Sequence, residues 1–210
     1  MRLFVAIDIN DDVRAAVAKL QQELKGRMKN QNGLKWVNPE LMHLTLKFLG
    51  EADENRVDEV SDAVEIACGD KKVFEFSLST VGTFGRPVKV LWLGNEEPGE
   101  KIVRLAADIE QALEQLGFEK EDRPFSVHLT LARVKDSGVD KNLRQLLKNY
   151  EQVHPVRDTP KEDGRQERPV SNGVQIPKVL VDSVCLYKSQ LTSDGPVYTL
   201  LRKIELKKDI

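Results

Sequence analysis

Cysteine is nearly missing from this chain. The two present, Cys68 and Cys185, lie far apart and form no CxxC pair. That excludes a disulfide framework and a thioredoxin-type motif, and their apolar surroundings mark them as inert core thiols. An excess of charge of either sign is also lacking: 32 Lys+Arg stand against 34 Asp+Glu, a net charge of −2. Proteins that bind long nucleic-acid tracts usually carry a basic excess, so a phosphate ligand is expected to be small or touched only at its end. No apolar run approaches the ~18 residues of a membrane span. The first ten residues read as a strand followed by Asp11 and Asp12, not as a signal peptide. A cytoplasmic, reduced protein without an obligate protein partner is the expectation. Histidine is scarce, with three in 210 residues, and where those three stand turns out to be informative.

The remaining composition is ordinary for a globular chain: 40% of residues are hydrophobic. The length suits one large domain or two lobes of about 100 residues each. Leu3–Ile9 reads as a first strand, and Asn10 as the cap of the helix that follows. Val13, Ala16, Val17, Leu20 and Leu24 follow helical spacing. A polar loop with Gly33 leads to Trp36, a core candidate. Met42–Leu49 is the next strand, ended by Gly50, and Val57, Val60, Val64 and Ala67 mark a second helix. Val73–Val81 and Val88–Leu93 read as strands joined by a hairpin at Gly82–Pro87. Ile102, Leu105, Ala106, Ile109, Leu113 and Leu116 form the clearest amphipathic helix, stopped by Gly117. Ser126–Val134 is a strand, and Asp140 opens a short helix. His154–Gln175 is rich in Pro, Gly and charge and reads as a long solvated loop. Val179–Tyr187 and Val197–Leu206 finish the chain around Asp194-Gly195-Pro196. Strands and helices mix without strict alternation, which predicts an α+β fold with antiparallel sheets.

One tetrapeptide recurs. His43-Leu44-Thr45-Leu46 returns as His128-Leu129-Thr130-Leu131, consuming two of the three histidines. Both copies fall in predicted strands, and each strand follows an amphipathic helix that itself follows a strand. That pattern points to two related lobes. Side chains alternate faces along a strand, so each His and Thr share one face and the leucines the other. The leucine face must be buried, which leaves each His-Thr pair toward water or a cleft. Two such lobes facing each other would gather two imidazoles and two hydroxyls around one small space. Imidazole suits general acid and base work near neutral pH, and a Thr hydroxyl can donate to a phosphate oxygen. Buried strands with partly exposed histidines would give the same pattern without chemistry. A zinc site would need three or four ligands, and His154 stands in the solvated loop, so no metal is expected.

At these residues the sequence resembles the two-histidine phosphoesterase superfamily, defined by two HxTx motifs. More narrowly it resembles the RNA 2′,3′-cyclic phosphodiesterase family, also called 2′-5′ RNA ligases. The resemblance runs over nearly the whole chain: the opening LFVAIDI, Trp36-Val37-Asn38-Pro39-Glu40 with HLTLKFLGE, RPFSVHLTLARV from Arg123, and the ending Leu186-Tyr187-Lys188-Ser189 with Gly195-Pro196-Val197-Tyr198. Val127 departs from it, standing where the family often has Pro before the second His. The His154–Gln175 loop is longer than usual and is read as an insertion. The resemblance implies one bilobal α+β domain over residues 1–210, with pseudo-symmetric lobes and the motifs facing a central cleft. It implies hydrolysis of RNA ends carrying a 2′,3′-cyclic phosphate, without metal or nucleotide cofactor, and a capacity for 2′-5′ ligation. It further implies His43 as proton donor and His128 as proton acceptor; pseudo-symmetry alone leaves that assignment open. The substrate would be an RNA 3′ end or a short oligonucleotide. Small cyclic nucleotides, 2′-5′ oligonucleotides, and a non-catalytic RNA-end binding module are the competing readings.

Thr45 and Thr130 are the candidate phosphate ligands. Three further residues are candidate substrate contacts. Lys47 shares the face of His43 by strand alternation. Arg133 falls on the face opposite His128 unless a β-bulge intervenes; it is either a phosphate contact or a partner in a structural ion pair. Phe84, near the hairpin tip, is either a stacking surface for a base or a cover for the sheet edge.

Overall fold

The computed structural model describes residues 1–28, 31–95, 99–153, 159–160, 166–167, 175–193 and 195–208. Strand β1 (Arg2–Asp8) leads into helix α1 (Asp11–Arg27), a short β2 (Leu34–Trp36) and β3 (His43–Glu51). Helix α2 (Val57–Cys68), β4 (Phe74–Phe76), β5 (Thr80–Phe84) and β6 (Val90–Gly94) follow. Then come α3 (Glu100–Gln115), β7 (His128–Val134) and α4 (Asp140–Val153). Next are two short strands, β8 (Thr159–Pro160) and β9 (Gln166–Glu167), and finally β10 (Val179–Val181), β11 (Ser183–Thr192) and β12 (Gly195–Glu205). Most of the His154–Gln175 segment expected to be a solvated loop lies outside the described residues; within it β8 and β9 pair antiparallel.

Two four-stranded sheets dominate, in the orders β12-β11-β1-β3 and β2-β7-β6-β5, with every pairing antiparallel. Each contains one HLTL strand, as an α+β fold with two related halves requires. The repeat unit is strand, helix, HLTL strand: β1-α1-β3 and β6-α3-β7. The two sheets are nevertheless interleaved in sequence. The C-terminal β11 and β12 complete the first sheet, and β2, from the first half of the chain, pairs with β7 in the second.

The helices bury the faces their periodicity predicts. In α3, Ile102, Leu105, Ala106, Ile109 and Leu113 are buried, and in α1 the stripe of Val13, Ala16, Val17, Leu20 and Leu24 gains one polar member, Gln21. Helices α2 and α3 pack against each other. Buried residues from both sheets form one continuous cluster. Nonpolar burial on this scale, at roughly 25 cal/mol per Å², is the dominant favourable term holding the sheets in place.

Three expectations about strands need correction. Val73–Val81 is not one strand: β4 pairs with β10, away from the main sheets, while β5 pairs with β6. Strand β5 also runs on through Gly82 and Phe84, so the turn is confined to the residues after it. The final segment likewise breaks at Asp182, between β10 and β11. Each break sends one piece of an apolar run to a different sheet, and hydrophobicity alone does not mark where the chain changes partner.

Candidate active site

Both HLTL strands carry a β-bulge at the same place, the fourth residue of the motif. Along β3, Ala6 faces Thr45 and Val5 faces Lys47, so Leu46 has no partner on β1. Along β7, Trp92 faces Thr130 and Leu91 faces Ala132, so Leu131 has none on β6. An extra residue reverses the alternation beyond it. Two consecutive residues are therefore buried in each motif, Leu46 with Lys47 and Leu131 with Ala132. The next residue, Phe48 or Arg133, comes round to the face of its histidine. A second shift in β3 omits Leu49, beside Gly50 at φ +71°, the left-handed geometry that glycine supplies at no steric cost.

These bulges settle two sequence-level expectations. Arg133 stands on the His128 face because the bulge intervenes. Its carbonyl neighbour Leu131, the unpaired residue, is held by the Val37 amide at 2.9 Å and by Gln21 Nε2, also at 2.9 Å. The buried glutamine in α1 thus gives the Leu131 carbonyl a second donor beside the Val37 amide. Lys47, in contrast, does not share the His43 face. It is 2% exposed and points to α3, where Nζ meets Glu110 Oε1 at 2.6 Å and donates to the Glu119 carbonyl. The expectation of a phosphate contact there fails because strand alternation was carried across a bulge. Removing one partner of a buried ion pair costs about 3–5 kcal/mol. Lys47→Ala is expected to lower unfolding free energy by about that amount in urea titration while leaving KM unchanged; a raised KM in a protein of normal stability would return Lys47 to the site.

The two imidazoles are held alike. His43 Nδ1 lies 3.0 Å from the Leu41 carbonyl, and His128 Nδ1 lies 2.8 Å from the Ser126 carbonyl. A carbonyl only accepts, so Nδ1 carries the proton in each neutral ring and Nε2 is the nitrogen left for proton transfer. Thr45 and Thr130 are half-buried, and among the described residues neither hydroxyl has a protein partner. Val127, the departure before the second His, is fully buried and leaves the His128 bond intact.

The surroundings of the two rings differ. His43 stacks on buried Phe4 at 4.7 Å between centroids and meets the edge of Tyr198 at 5.0 Å. Burial pushes its pKa below the ordinary imidazole value; the Leu41 bond and the Asp8 carboxylate pull it up, and the Arg133 charge pushes it down. Asp8 stands directly opposite His43 in the sheet and accepts from the Tyr187 hydroxyl at 2.8 Å. Burial first, and then that bond, push the Tyr187 phenol up, so it remains a donor. His128 meets the edge of Phe84 at 5.0 Å, and Phe84 stacks on Trp92 at 5.0 Å. A Cβ at Gly82 would collide with the Trp92 indole, so the glycine makes room for this stack. Phe84 therefore sits on edge strand β5 and beside a histidine at once.

Arg133 ties the two sheets together at this point. It belongs to the His128 strand, yet its charge acts on both His43 and Tyr198 of the other sheet. Strands β3 and β7 lie against each other, so the arginine of one motif acts on the histidine of the other. Phe4, Asp8, Tyr187 and Tyr198 were not singled out from the sequence as site residues. Phe4 and Asp8 reach His43 through the β1–β3 pairing, and Tyr187 and Tyr198 through the pairing of β1 with C-terminal strands, which no local pattern reveals. Cys68 and Cys185 are buried and free, and burial pushes both thiols up to about 12, in keeping with inert core groups.

Comparison with known proteins finds similarity along nearly the whole chain. The family model described as the 2′-5′ RNA ligase superfamily matches residues 9–158. An RNA 2′,3′-cyclic phosphodiesterase of Archaeoglobus fulgidus is 35% identical over 98% of this chain and 100% of its own. A protein of the same description from Methanocaldococcus jannaschii is 31% identical over 97% of this chain and 99% of its own. A solved structure from Thermus thermophilus superposes with a TM-score of 0.72 at 28% identity, covering 100% of both chains.

Proposed function

The chain belongs to the 2′-5′ RNA ligase superfamily, and from that membership we propose that it hydrolyses RNA 2′,3′-cyclic phosphate ends to 2′-phosphate ends. The observation that carries the reading is the matched pair of imidazoles, each locked through Nδ1 to a carbonyl two residues back, around a space that Arg133 links.

Phosphoryl transfer places the entering and leaving oxygens roughly in line through phosphorus. One group must take a proton from water on one side while another protonates the departing ribose oxygen on the other. In this reading His128 Nε2 accepts the water proton as the new P–O bond forms. His43, protonated, gives its Nε2 proton to O3′ as the P–O3′ bond breaks. The product keeps the phosphate on O2′, and solvent exchange returns both rings to their starting states. Thr45, Thr130 and Arg133 hold the non-bridging oxygens, where charge develops. Phe84, beside His128, provides a ring against which a base packs. Because the strained cyclic ester is itself the activated group, an RNA 5′-hydroxyl in place of water would give a 2′-5′ linkage without a nucleotide cofactor. The partner is thus an RNA 3′ end or a short oligonucleotide.

No metal enters these steps, which gives a direct test. A dinucleotide ending in a 2′,3′-cyclic phosphate is expected to turn over at an undiminished rate after exhaustive chelation. Loss of turnover that an added divalent metal restores would overturn the two-histidine mechanism.

A further inference from the structure

Beyond the reacting phosphate, the site holds a second unneutralised cation. Lys35 on β2 stands directly opposite Arg133 on β7, and residues paired in this way share a face with Cβ atoms about 5 Å apart. Like charges so placed are destabilising. Neither has a carboxylate within ion-pair distance among the described residues, and both are exposed. The placement is directional. Arg133 acts on His43 and Tyr198, whereas Lys35 places its Nζ by the first residue of β12, 3.8 Å from where a Cβ on Gly195 would stand. Lys35 thus stands between its cross-strand neighbour Arg133 and the start of β12 at Gly195. A pair of adjacent, unpartnered cations leading away from a phosphate-handling centre suits a ligand with a further anionic group at that end.

We propose that Lys35, beside Arg133, binds the phosphodiester adjoining the terminal nucleotide, and so makes the enzyme selective for oligonucleotide ends over mononucleoside cyclic phosphates. This rests on the cyclic-phosphate reading above. Arg133 stays with the reacting phosphate, while Lys35 takes the neighbouring one beside the start of β12. Lys35 is a specificity residue: it touches substrate away from the bonds that change. A free monomer lacks the group it recognises.

The test compares a mononucleoside 2′,3′-cyclic phosphate with a dinucleotide carrying the same end. For the wild-type chain, kcat/KM is expected to favour the dinucleotide by about tenfold. Lys35→Gln should lose about 5- to 10-fold on the dinucleotide, through KM, and less than twofold on the mononucleotide. Lys35→Arg should keep the preference. The salt dependence of dinucleotide KM should fall by about 0.7 in log–log slope, the release of one counterion from a single strand. Equal loss on both substrates would place Lys35 at the reacting phosphate and overturn the inference, as would no loss on either. Failure of the wild-type chain to turn over either substrate is a different result: it removes the cyclic-phosphate reading itself.

Discussion

Replacing either His43 or His128 by alanine is expected to reduce turnover of a cyclic-phosphate dinucleotide by about 10²–10⁴-fold, the range one positioned proton transfer contributes. The fold should survive. Both rings are half-buried at the first position of their strands, and their hydrogen bonds go to a carbonyl two residues away rather than across the core. Far-UV circular dichroism and the urea midpoint should therefore change little. The double variant should be about as slow as either single one, because groups that act as a unit are not additive. Thr45→Ala and Thr130→Ala should each cost less, about 10-fold, since each removes one hydrogen bond to a charged group among several. A near-normal rate in either histidine variant would show that the matched geometry of the two rings serves structure only.

The second large effect concerns Arg133 and pH. If His43 must be protonated to act, activity of the free enzyme falls as pH rises through its pKa. Burial and then Arg133 act to lower that value, so the alkaline limb of kcat/KM is expected below the imidazole reference of about 6.5. The acid limb reflects loss of the neutral base, and both limbs belong to the coupled pair. Arg133→Gln removes one lowering influence, so the alkaline limb should move to higher pH. It also removes a charged hydrogen bond worth about 1.5–3 kcal/mol, so the rate at the optimum should fall about 10- to 100-fold. An alkaline limb that stays in place, or moves down, would mean that Arg133 does not border His43 in solution.

The repeated tetrapeptide and the helices were legible because they rest on local periodicity. Leu105, Ile109 and Leu113 recur at helical spacing, and they are buried where that spacing puts them. Alternation also worked through the fourth residue of each motif, placing His43 with Thr45 and His128 with Thr130. It failed at the next step. HLTLKF and HLTLAR contain no glycine or proline to announce a bulge, and the partners of the bulged segments are tertiary: in β7 a glutamine from α1 donates to the Leu131 carbonyl, and in β3 a glutamate from α3 pairs with Lys47. Strand β2 escaped notice because its three residues, Leu34–Trp36, are too few to show a period. With it went the neighbour of Arg133. The aromatic surroundings of His43 were hidden for a related reason: Phe4 and Tyr187 meet only when the chain's first strand pairs with one from its end.

The bond that breaks is the most direct measure of the mechanism. A dinucleotide ending in a 2′,3′-cyclic phosphate can be hydrolysed in ¹⁸O-labelled water and the product followed by ³¹P NMR. Protonation of O3′ by His43 and activation of water by His128 give a single 2′-phosphomonoester with one labelled oxygen on phosphorus. A 3′-phosphate, or a mixture of the two monoesters, would contradict the assignment of the two histidines to opposite sides of the phosphorus.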